Sequence, residues 1–193
     1  MKRIFLDVGA NVGQTIDFVV DPQFRLDEII CFEPSPICLD QLRARYGHAA
    51  RVKIVPFGLW KETCEMDLHN EGSQGGTVLA DYQTTCNPVP RVTRCKFVRA
   101  SDWFKDNLTE EAEIFLKMNC EGSECDIIND LLDSGEYAKV KVALIDYDVR
   151  KSPSNIHKEK ELKERMTALG LTNLKNYMGP SRNLMLKKVL SGR

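Results

Sequence analysis

The feature that most constrains this chain is a repeated succession of an apolar strand-like run, a turn and a stripe of apolar residues with helical spacing. The run at 2–6 ends in a glycine-containing turn at 7–15, and the run at 28–32 ends in the tetrapeptide EPSP before a helical stripe. A third run lies at 51–57. Strands that alternate with helices in this way predict a parallel sheet with helices on both faces. The predicted fold class is therefore α/β.

The rest of the chain extends this pattern to a single domain over 1–193. Further runs continue the alternation of strand and helix, at 114–118, 127–132, 140–145 and 157–169. The segments 172–177 and 183–190 predict a terminal antiparallel hairpin. Residues 61–95 differ, because glycine, proline and polar residues there separate short strand-like pieces. We predict that this segment is an irregular insertion or lid.

Composition narrows the range of partners. The 27 Lys and Arg residues nearly balance the 28 Asp and Glu residues, so the formal charge of -1 does not favour nucleic acid. No stretch approaches the roughly 20 apolar residues of a membrane-spanning helix, and the first residues lack the apolar core of a signal peptide. The seven cysteines contain no C-x-x-C pair and fit reduced thiols. We expect a cytoplasmic protein with no nucleic-acid and no membrane partner.

The first strand-to-helix turn carries the first functional signal. It reads Asp7-x-Gly9-Ala10-Asn11-x-Gly13, and in an open parallel sheet ligands bind at such turns. Glycines allow close approach of the backbone to a ligand, and the exposed N–H groups of a helix start favour polar or anionic groups. The alternative is a tight turn that simply needs glycine. The turn lacks both the dinucleotide-binding spacing Gly-x-Gly-x-x-Gly and the Walker-type pattern.

The second signal is Glu33, which directly follows the second strand. An acidic residue at that position accepts hydrogen bonds from a ribose diol. The alternative is a carboxylate that caps the helix after Pro34. The two signals lie about 20 residues apart, as the acid and the glycine turn of a nucleoside-binding fold do, and together they are more specific than either alone.

Four motifs then carry a resemblance to a known family. The stretches FLDVGANVGQT, CFEPSP, VKIVPFGLW and FLKMNCEGSE occur in that order, and together they resemble the FkbM family of S-adenosylmethionine-dependent methyltransferases over roughly residues 3–145. The resemblance implies one Rossmann-like class I methyltransferase domain. Its expected architecture is a mostly parallel seven-stranded sheet with helices on both faces, and its expected cofactor is S-adenosyl-L-methionine.

The resemblance also implies a set of cofactor-binding residues. Those around the methionine end of the cofactor are Asp7, Gly9, Asn11 and Gly13. Those on the nucleoside side are Glu33 at the ribose, Pro34 and Ser35 beside the adenosine, and Phe57 and Gly58 against adenine. Simple core packing is the alternative for Phe57. The family pattern Lys-x-Asp-x-Glu-Gly-x-Glu is present with Asn119 in place of the Asp, and an amide positions a ligand through hydrogen bonds but cannot act as a general base.

Methyl transfer to an alcohol needs alignment of donor and acceptor and removal of the hydroxyl proton. The candidate catalytic acids follow the fourth and fifth strands, at Glu121, Asp146 and Asp148. Asp148 has the alternative of an exposed carboxylate paired with Arg150 or Lys151. These acids also suit Mg²⁺ as an alternative, but Asn119 weakens that set and we predict no metal. Among the histidines, only His69 stays as a substrate-side candidate.

These features predict an S-adenosylmethionine-dependent O-methyltransferase. By the resemblance, its acceptor is a hydroxyl of a sugar, a glycan or another small molecule, which makes carbohydrate O-methylation the expected activity. One alternative is a nucleic-acid 2′-O-methyltransferase, against which the neutral charge argues. Another is a non-catalytic scaffold that keeps the cofactor pocket. Because the chain opens directly on the first strand, either the segment 61–95 closes the site alone or the domain is part of a larger polypeptide.

Overall fold

The computed structural model describes residues 1–73, 75–83 and 90–192. Within these ranges the main sheet has six strands, in the spatial order β3-β2-β1-β7-β8-β9. Their bounds are β1 Arg3–Val8, β2 Glu28–Phe32, β3 Val52–Val55, β7 Glu113–Met118, β8 Val140–Ile145 and β9 Leu174–Asn176. Every pairing between neighbours in this sheet is parallel. The strand order reverses between β1 and β7, as in Rossmann-like folds.

Helices cover both faces of the main sheet. Their bounds are α1 Gln14–Val19, α2 Pro36–Tyr46, α3 Ala100–Asn107, α4 Glu124–Ser134, α5 His157–Ala168 and α6 Arg182–Ser191. Alternate residues of β1 serve the two faces, because side chains of a strand point to opposite sides in turn. Phe5 packs in the core under α1, α2 and α6, whereas Leu6 packs in the core under α3, α4 and α5. The α/β prediction is confirmed.

A smaller second sheet lies within and beside the segment predicted as an irregular insertion. It contains β4 (Gly58–Trp60), β5 (Cys64–His69) and β6 (Val92–Arg99), with β6 in the middle. The pairing of β6 is parallel to β4 and antiparallel to β5. The two ends of 61–95 are therefore regular, while residues 74 and 84–89 of the predicted lid lie outside the described residues. Its action as a lid stays a prediction.

The end of the chain differs from the predicted hairpin. The strand β9 runs parallel to β8, and the segment predicted as the returning strand is the helix α6. Leu186 and Leu190 lie four residues apart and are buried together, while Lys187 and Lys188 between them are exposed. This spacing is that of a helix face. The described part of the main sheet consequently has six strands where seven were expected.

Helices in the described ranges are too short or too polar to cross a membrane.

Candidate functional site

Two adjoining clefts open at the carboxyl ends of the main-sheet strands, where the strand order reverses. The inner cleft has an empty volume of about 640 Å³ and is bounded by Gly9, Glu33, Ser35, Gly58, Phe97 and Ser123, among others. The outer cleft has an empty volume of about 1250 Å³ and is bounded by Lys117, Asp146, Asp148, Lys151, Tyr177 and Arg182, among others. Four residues line both clefts, namely Gly9, Asn11, Asn119 and Glu121. This shared lining is the junction of the site.

In the turn after β1, only glycine fits at the point where the backbone passes closest to Asn119, the residue that follows β7. Gly9 has a φ of 77°, and a Cβ added there would lie 2.0 Å from the backbone oxygen of Asn119. The N–H groups of Gly9 and Ala10 both donate to the Phe32 oxygen at 3.1 Å, which ties the turn to the end of β2. Gly13 also has a positive φ, but it packs against the Tyr46 ring away from the clefts. Gly9 and Asn11 therefore face the junction, and Gly13 shapes the turn.

Glu33 directly follows β2 and is a buried carboxylate in the wall of the inner cleft. Its Oε2 accepts the Asn11 N–H at 2.7 Å, and its Oε1 accepts the Ser35 N–H at 2.8 Å. Burial raises the pKa of Glu33 to about 7, although the two N–H donors act in the opposite direction. Each carboxylate oxygen has a second lone pair, so this group can still accept two hydrogen bonds from a ligand.

The remaining predicted nucleoside-side residues divide into two groups. Pro34, Ser35 and Gly58 line the inner cleft, whose apolar wall continues through Leu59, Leu68, Val78 and Phe97. Phe57 instead packs beside Phe32, with ring centroids 6.1 Å apart, and it is absent from the described lining of the inner cleft. The packing alternative for Phe57 agrees with this placement.

Asp7 and Lys117 form a buried ion pair between neighbouring strands. Lys117 Nζ lies 2.8 Å from Asp7 Oδ1 and also donates to the Gly9 oxygen at 3.2 Å. Burial raises the pKa of Asp7, against the effect of Lys117. Asp7 is absent from the described lining of both clefts, whereas Lys117 lines the outer one. Asp7 thus acts on the site by holding Lys117 beneath the glycine turn.

Glu124, the first residue of α4, stabilises the loop after β7 through hydrogen bonds. Its Oε1 accepts the N–H groups of Cys120 at 2.9 Å and of Gly122 at 3.1 Å, and burial raises the pKa of Glu124 to about 8. Asn119 lines both clefts, and within the described residues its buried Oδ1 has no hydrogen-bond partner. Because buried polar atoms are normally paired, Asn119 Oδ1 is an exception that marks this point of the junction.

Glu121 lies at the junction in a strained backbone conformation, with a φ of 50°. Its Oε2 accepts a hydrogen bond from the Tyr82 hydroxyl and lies 3.4 Å from Lys151 Nζ. Burial and then the nearby negative charge of Asp148 raise the pKa of Glu121 to about 7. A carboxyl group with a pKa near neutrality is suited to general acid–base chemistry.

The two other candidate acids follow β8 and face the outer cleft. Asp146 pairs with Arg182 through Oδ2, while its Oδ1 is buried without a partner among the described residues. Burial and then Asp148 raise the pKa of Asp146. Asp148 pairs with Lys151 at 2.8 Å, and it is buried, contrary to the alternative of an exposed loop acid. Within the described ranges, no cluster of three His, Cys, Asp or Glu side chains has metal-binding geometry.

A strap, defined here as residues 70–73 and 75–83, lines the inner cleft and contacts Glu121 and Lys151 of the outer cleft. At its start the buried Glu71 accepts a hydrogen bond from Ser35 Oγ, and the Ser73 oxygen accepts one from Asn11 Nδ2 at 3.1 Å. Further along, Thr77 Oγ1 donates to the Glu121 oxygen at 2.7 Å. The strap is thereby attached to the glycine turn, to the helix α2 and to the loop after β7.

Three residues that reach the candidate site were not among the predicted site residues. Lys151 and Arg182 bring positive charge to the outer cleft, and Tyr82 reaches Glu121 from the strap. Lys151 carried a usable signal, because it follows the fifth strand run within six residues, as Asp146 and Asp148 do. Arg182 carried none, since its segment was predicted as part of a hairpin.

Comparisons with known proteins support the fold. No protein-family model matches the sequence, and no curated protein matches it. A search of solved structures found similarity to the crystal structure of methyltransferase FkbM from Methylobacillus flagellatus KT, with 18% sequence identity over 83% of this chain and a TM-score of 0.50. This chain spans 36% of the length of that protein. At this identity the similarity establishes a methyltransferase-like fold.

The buried carboxyl groups predict an unusual dependence of stability on pH. Glu33 and Glu124 have pKa values of about 7 and about 8, above their ordinary value. The folded state therefore holds protons that the unfolded state has released, and the free energy of unfolding should fall as the pH rises from 5 to 8. The loss is on the order of 3 kcal/mol for Glu33 alone. Urea unfolding at a series of pH values measures it.

Two variants test whether Glu124 contributes to this fall in the free energy of unfolding. Glu124→Gln should flatten the fall in unfolding free energy between pH 5 and 8. Glu113→Gln should not, because hydrogen bonding to Lys141 lowers the pKa of Glu113 and places its titration below this range. Stability that is constant or rising across the range in the unmodified protein would refute the assignment of buried, protonated carboxyl groups.

Proposed function

We propose that this protein is an S-adenosylmethionine-dependent methyltransferase that acts on a hydroxyl of a sugar, a glycan or another small molecule. The observation that carries the proposal is the junction. There the glycine turn and the candidate base Glu121 lie between the two clefts, beside the buried Glu33 of the inner cleft, at the carboxyl ends of β1, β2 and β7. Ligands of open α/β sheets bind at this place.

The inner cleft has the groups that the nucleoside half of the cofactor requires. The free lone pairs of Glu33 suit the two ribose hydroxyls, and the apolar wall of Leu59, Leu68 and Phe97 suits a flat base. Gly9 leaves the room that a side chain would fill beside Asn119. These residues fit S-adenosylmethionine, which when bound supplies a methyl group on a positively charged sulfur.

The outer cleft is suited to a neutral acceptor with several hydroxyl groups. Among the described residues, three of its buried polar atoms have no hydrogen-bond partner. Asp146 Oδ1 and Asn119 Oδ1 are acceptors, and Arg182 Nε is a donor. Hydroxyl groups donate and accept, so a polyol can satisfy all three atoms. A sugar or glycan acceptor follows from this reasoning, together with the resemblance to the FkbM family.

The charges of the outer cleft argue against a nucleic-acid acceptor. Lys117 pairs with Asp7, Lys151 with Asp148, and Arg182 with Asp146. Binding of a phosphate backbone relies on Lys and Arg side chains whose charge is available to it, and these three are already neutralised by acids. The absence of nucleic-acid and membrane partners and a cytoplasmic location stay predictions of the sequence.

Glu121 is the residue that we assign to proton removal. It lines both clefts, so its carboxylate can reach an acceptor hydroxyl placed beside the junction. The Tyr82 hydroxyl on Glu121 Oε2 occupies a position that an acceptor hydroxyl can take. Asp146, held by Arg182, is better placed to orient the acceptor, and Asp148 acts on Glu121 through its charge.

The test is transfer of a labelled methyl group from S-adenosylmethionine to a panel of acceptors. The panel contains neutral sugars and oligosaccharides, hydroxylated small molecules and an RNA oligonucleotide. We expect label in the first two classes as an ether that is stable to base. Label in the RNA alone would favour the 2′-O-methyltransferase, and cofactor binding without transfer to any acceptor would favour the scaffold.

A further inference from the structure

Lys151 is a charged residue of the outer cleft. The proposed reaction assigns no role to it. This residue ends a short 3₁₀ turn, Asp148–Lys151, that follows β8. Its Nζ lies 2.8 Å from Asp148 Oδ1 and 3.4 Å from Glu121 Oε2, and 5.5 Å from the centre of the Tyr82 ring. The ammonium group therefore bridges two acids of the outer cleft.

The strap fixes the backbone that carries Lys151. The Gln83 N–H donates to the Lys151 oxygen at 2.7 Å. Two residues earlier, Asp81 accepts hydrogen bonds from Ser152 Oγ and from the Ser154 N–H. The Lys151 carbonyl group and the residues that follow it are therefore anchored to the strap, and Tyr82 on the same strap contacts Glu121.

To accept a proton near neutral pH, Glu121 needs a neighbouring cation that favours its ionised form. It is buried beside Asp148, and both burial and a like charge favour its protonated form. The groups that face it are Tyr82 of the strap and Lys151 and Asp148 of the 3₁₀ turn. Beyond these lie Lys117 of β7, Glu124 at the start of α4 and Asp146 after β8. Of this set, Lys151 is the cation that contacts the Glu121 carboxylate.

We propose that Lys151 is a positioning residue that keeps the Glu121 carboxylate ionised and directed into the outer cleft. The role in proton removal rests on the proposed function, whereas the effect on the ionisation of Glu121 does not. The ammonium remains charged, since burial, the largest single effect on its pKa, is outweighed by the hydrogen bonds and negative charges of Asp148 and Glu121 taken together, and the pKa of Lys151 is raised. Lys151 offsets the repulsion of Asp148, and since it and Tyr82 both contact Oε2 of Glu121, Oε1 is left for the acceptor hydroxyl.

The test is the titration of the Glu121 side-chain carboxyl by ¹³C NMR, with Glu121→Gln used to assign its signal. Lys151→Met should move the midpoint upward by about one pH unit or more, because an adjacent opposite charge typically shifts a carboxyl group by that amount. Asp148→Asn should move it downward. Lys151→Arg should restore a midpoint close to that of the unmodified protein.

Lys158→Met is the matched control. Lys158 also forms a partly buried ion pair, with Asp126 at 2.8 Å, but it is outside the described lining of both clefts, and its loss should leave the Glu121 midpoint in place. Lys151→Gln replaces Lys151→Met if the apolar side chain prevents folding. A midpoint that does not move in Lys151→Met or in its substitute Lys151→Gln, or that moves upward in Asp148→Asn as well, would overturn the proposal.

The same variants separate this inference from the proposed function. If midpoints move as expected and no acceptor is methylated, the ionisation role of Lys151 stands and the methyl-transfer proposal fails. If methyl transfer occurs, the acid limb of the kcat profile against pH should shift with the NMR midpoint in each variant. A profile that stays fixed while the midpoint moves would show that Glu121 is not the base.

Discussion

Glu121→Gln is expected to lower kcat by about 10²–10⁴-fold, because loss of a general base typically costs that much. The amide keeps the shape of the side chain and removes its basicity. The Tyr82 hydroxyl can still donate to the amide oxygen, so the strap contact at Glu121 is retained. The measurement is initial-rate kinetics of methyl transfer with the acceptor that the panel identifies.

The affinity for the cofactor and the melting temperature should change little in this variant, which separates catalysis from folding. Asp146→Asn is the matched comparison, since Asp146 is paired with Arg182 and is assigned to orientation of the acceptor. It should raise KM for the acceptor more than it lowers kcat. Turnover at the parental rate in Glu121→Gln would rule out Glu121 as the base and leave alignment or another acid to account for the reaction.

Glu33→Ala is expected to weaken binding of S-adenosylmethionine and of its demethylated product by about 1.5–3 kcal/mol, the range for hydrogen bonds to a charged group. This corresponds to a loss of roughly 10- to 150-fold in affinity. Binding should also strengthen as the pH rises through about 7, because the ionised form of Glu33 is the better acceptor for ribose hydroxyls. Isothermal titration calorimetry between pH 6 and 8 measures both effects.

Glu28→Ala is the control for this prediction. Glu28 begins the same strand that Glu33 follows, at the end of the sheet away from the clefts, and it pairs with Lys2. Its removal should leave cofactor affinity unchanged at every pH. Equal affinities of Glu33→Ala and the unmodified protein would refute the assignment of Glu33 to the ribose.

The sequence was most informative where a motif and a strand end coincide. The apolar run before Gly9 and the acid after β2 are local patterns, and their parallel pairing brings both to one edge of the sheet. The lysine, asparagine and glutamates of the β7 motif reach that edge for the same reason. Local pattern therefore sufficed to predict the α/β class and to locate a site at this edge.

Contacts between residues far apart in the chain could not be predicted from local sequence patterns. Leu186 of the last segment is buried in one core cluster with Phe5 of β1 and Ile16 of α1, whereas the apolar residues of that segment alone also fit a strand. Likewise, Arg182 reaches Asp146 across 36 residues and Tyr82 reaches Glu121 across 39. No local spacing encodes these pairs, which only the packed fold brings together.

A crystal structure of the protein with S-adenosylhomocysteine would show directly where the cofactor binds. We expect the base to lie against Leu59 and Phe97 in the inner cleft, with both ribose hydroxyls about 3 Å from the Glu33 carboxylate and the sulfur at the junction beside Gly9 and Asn119. A ligand bound elsewhere, or one in the inner cleft whose ribose makes no contact with Glu33, would contradict this expectation.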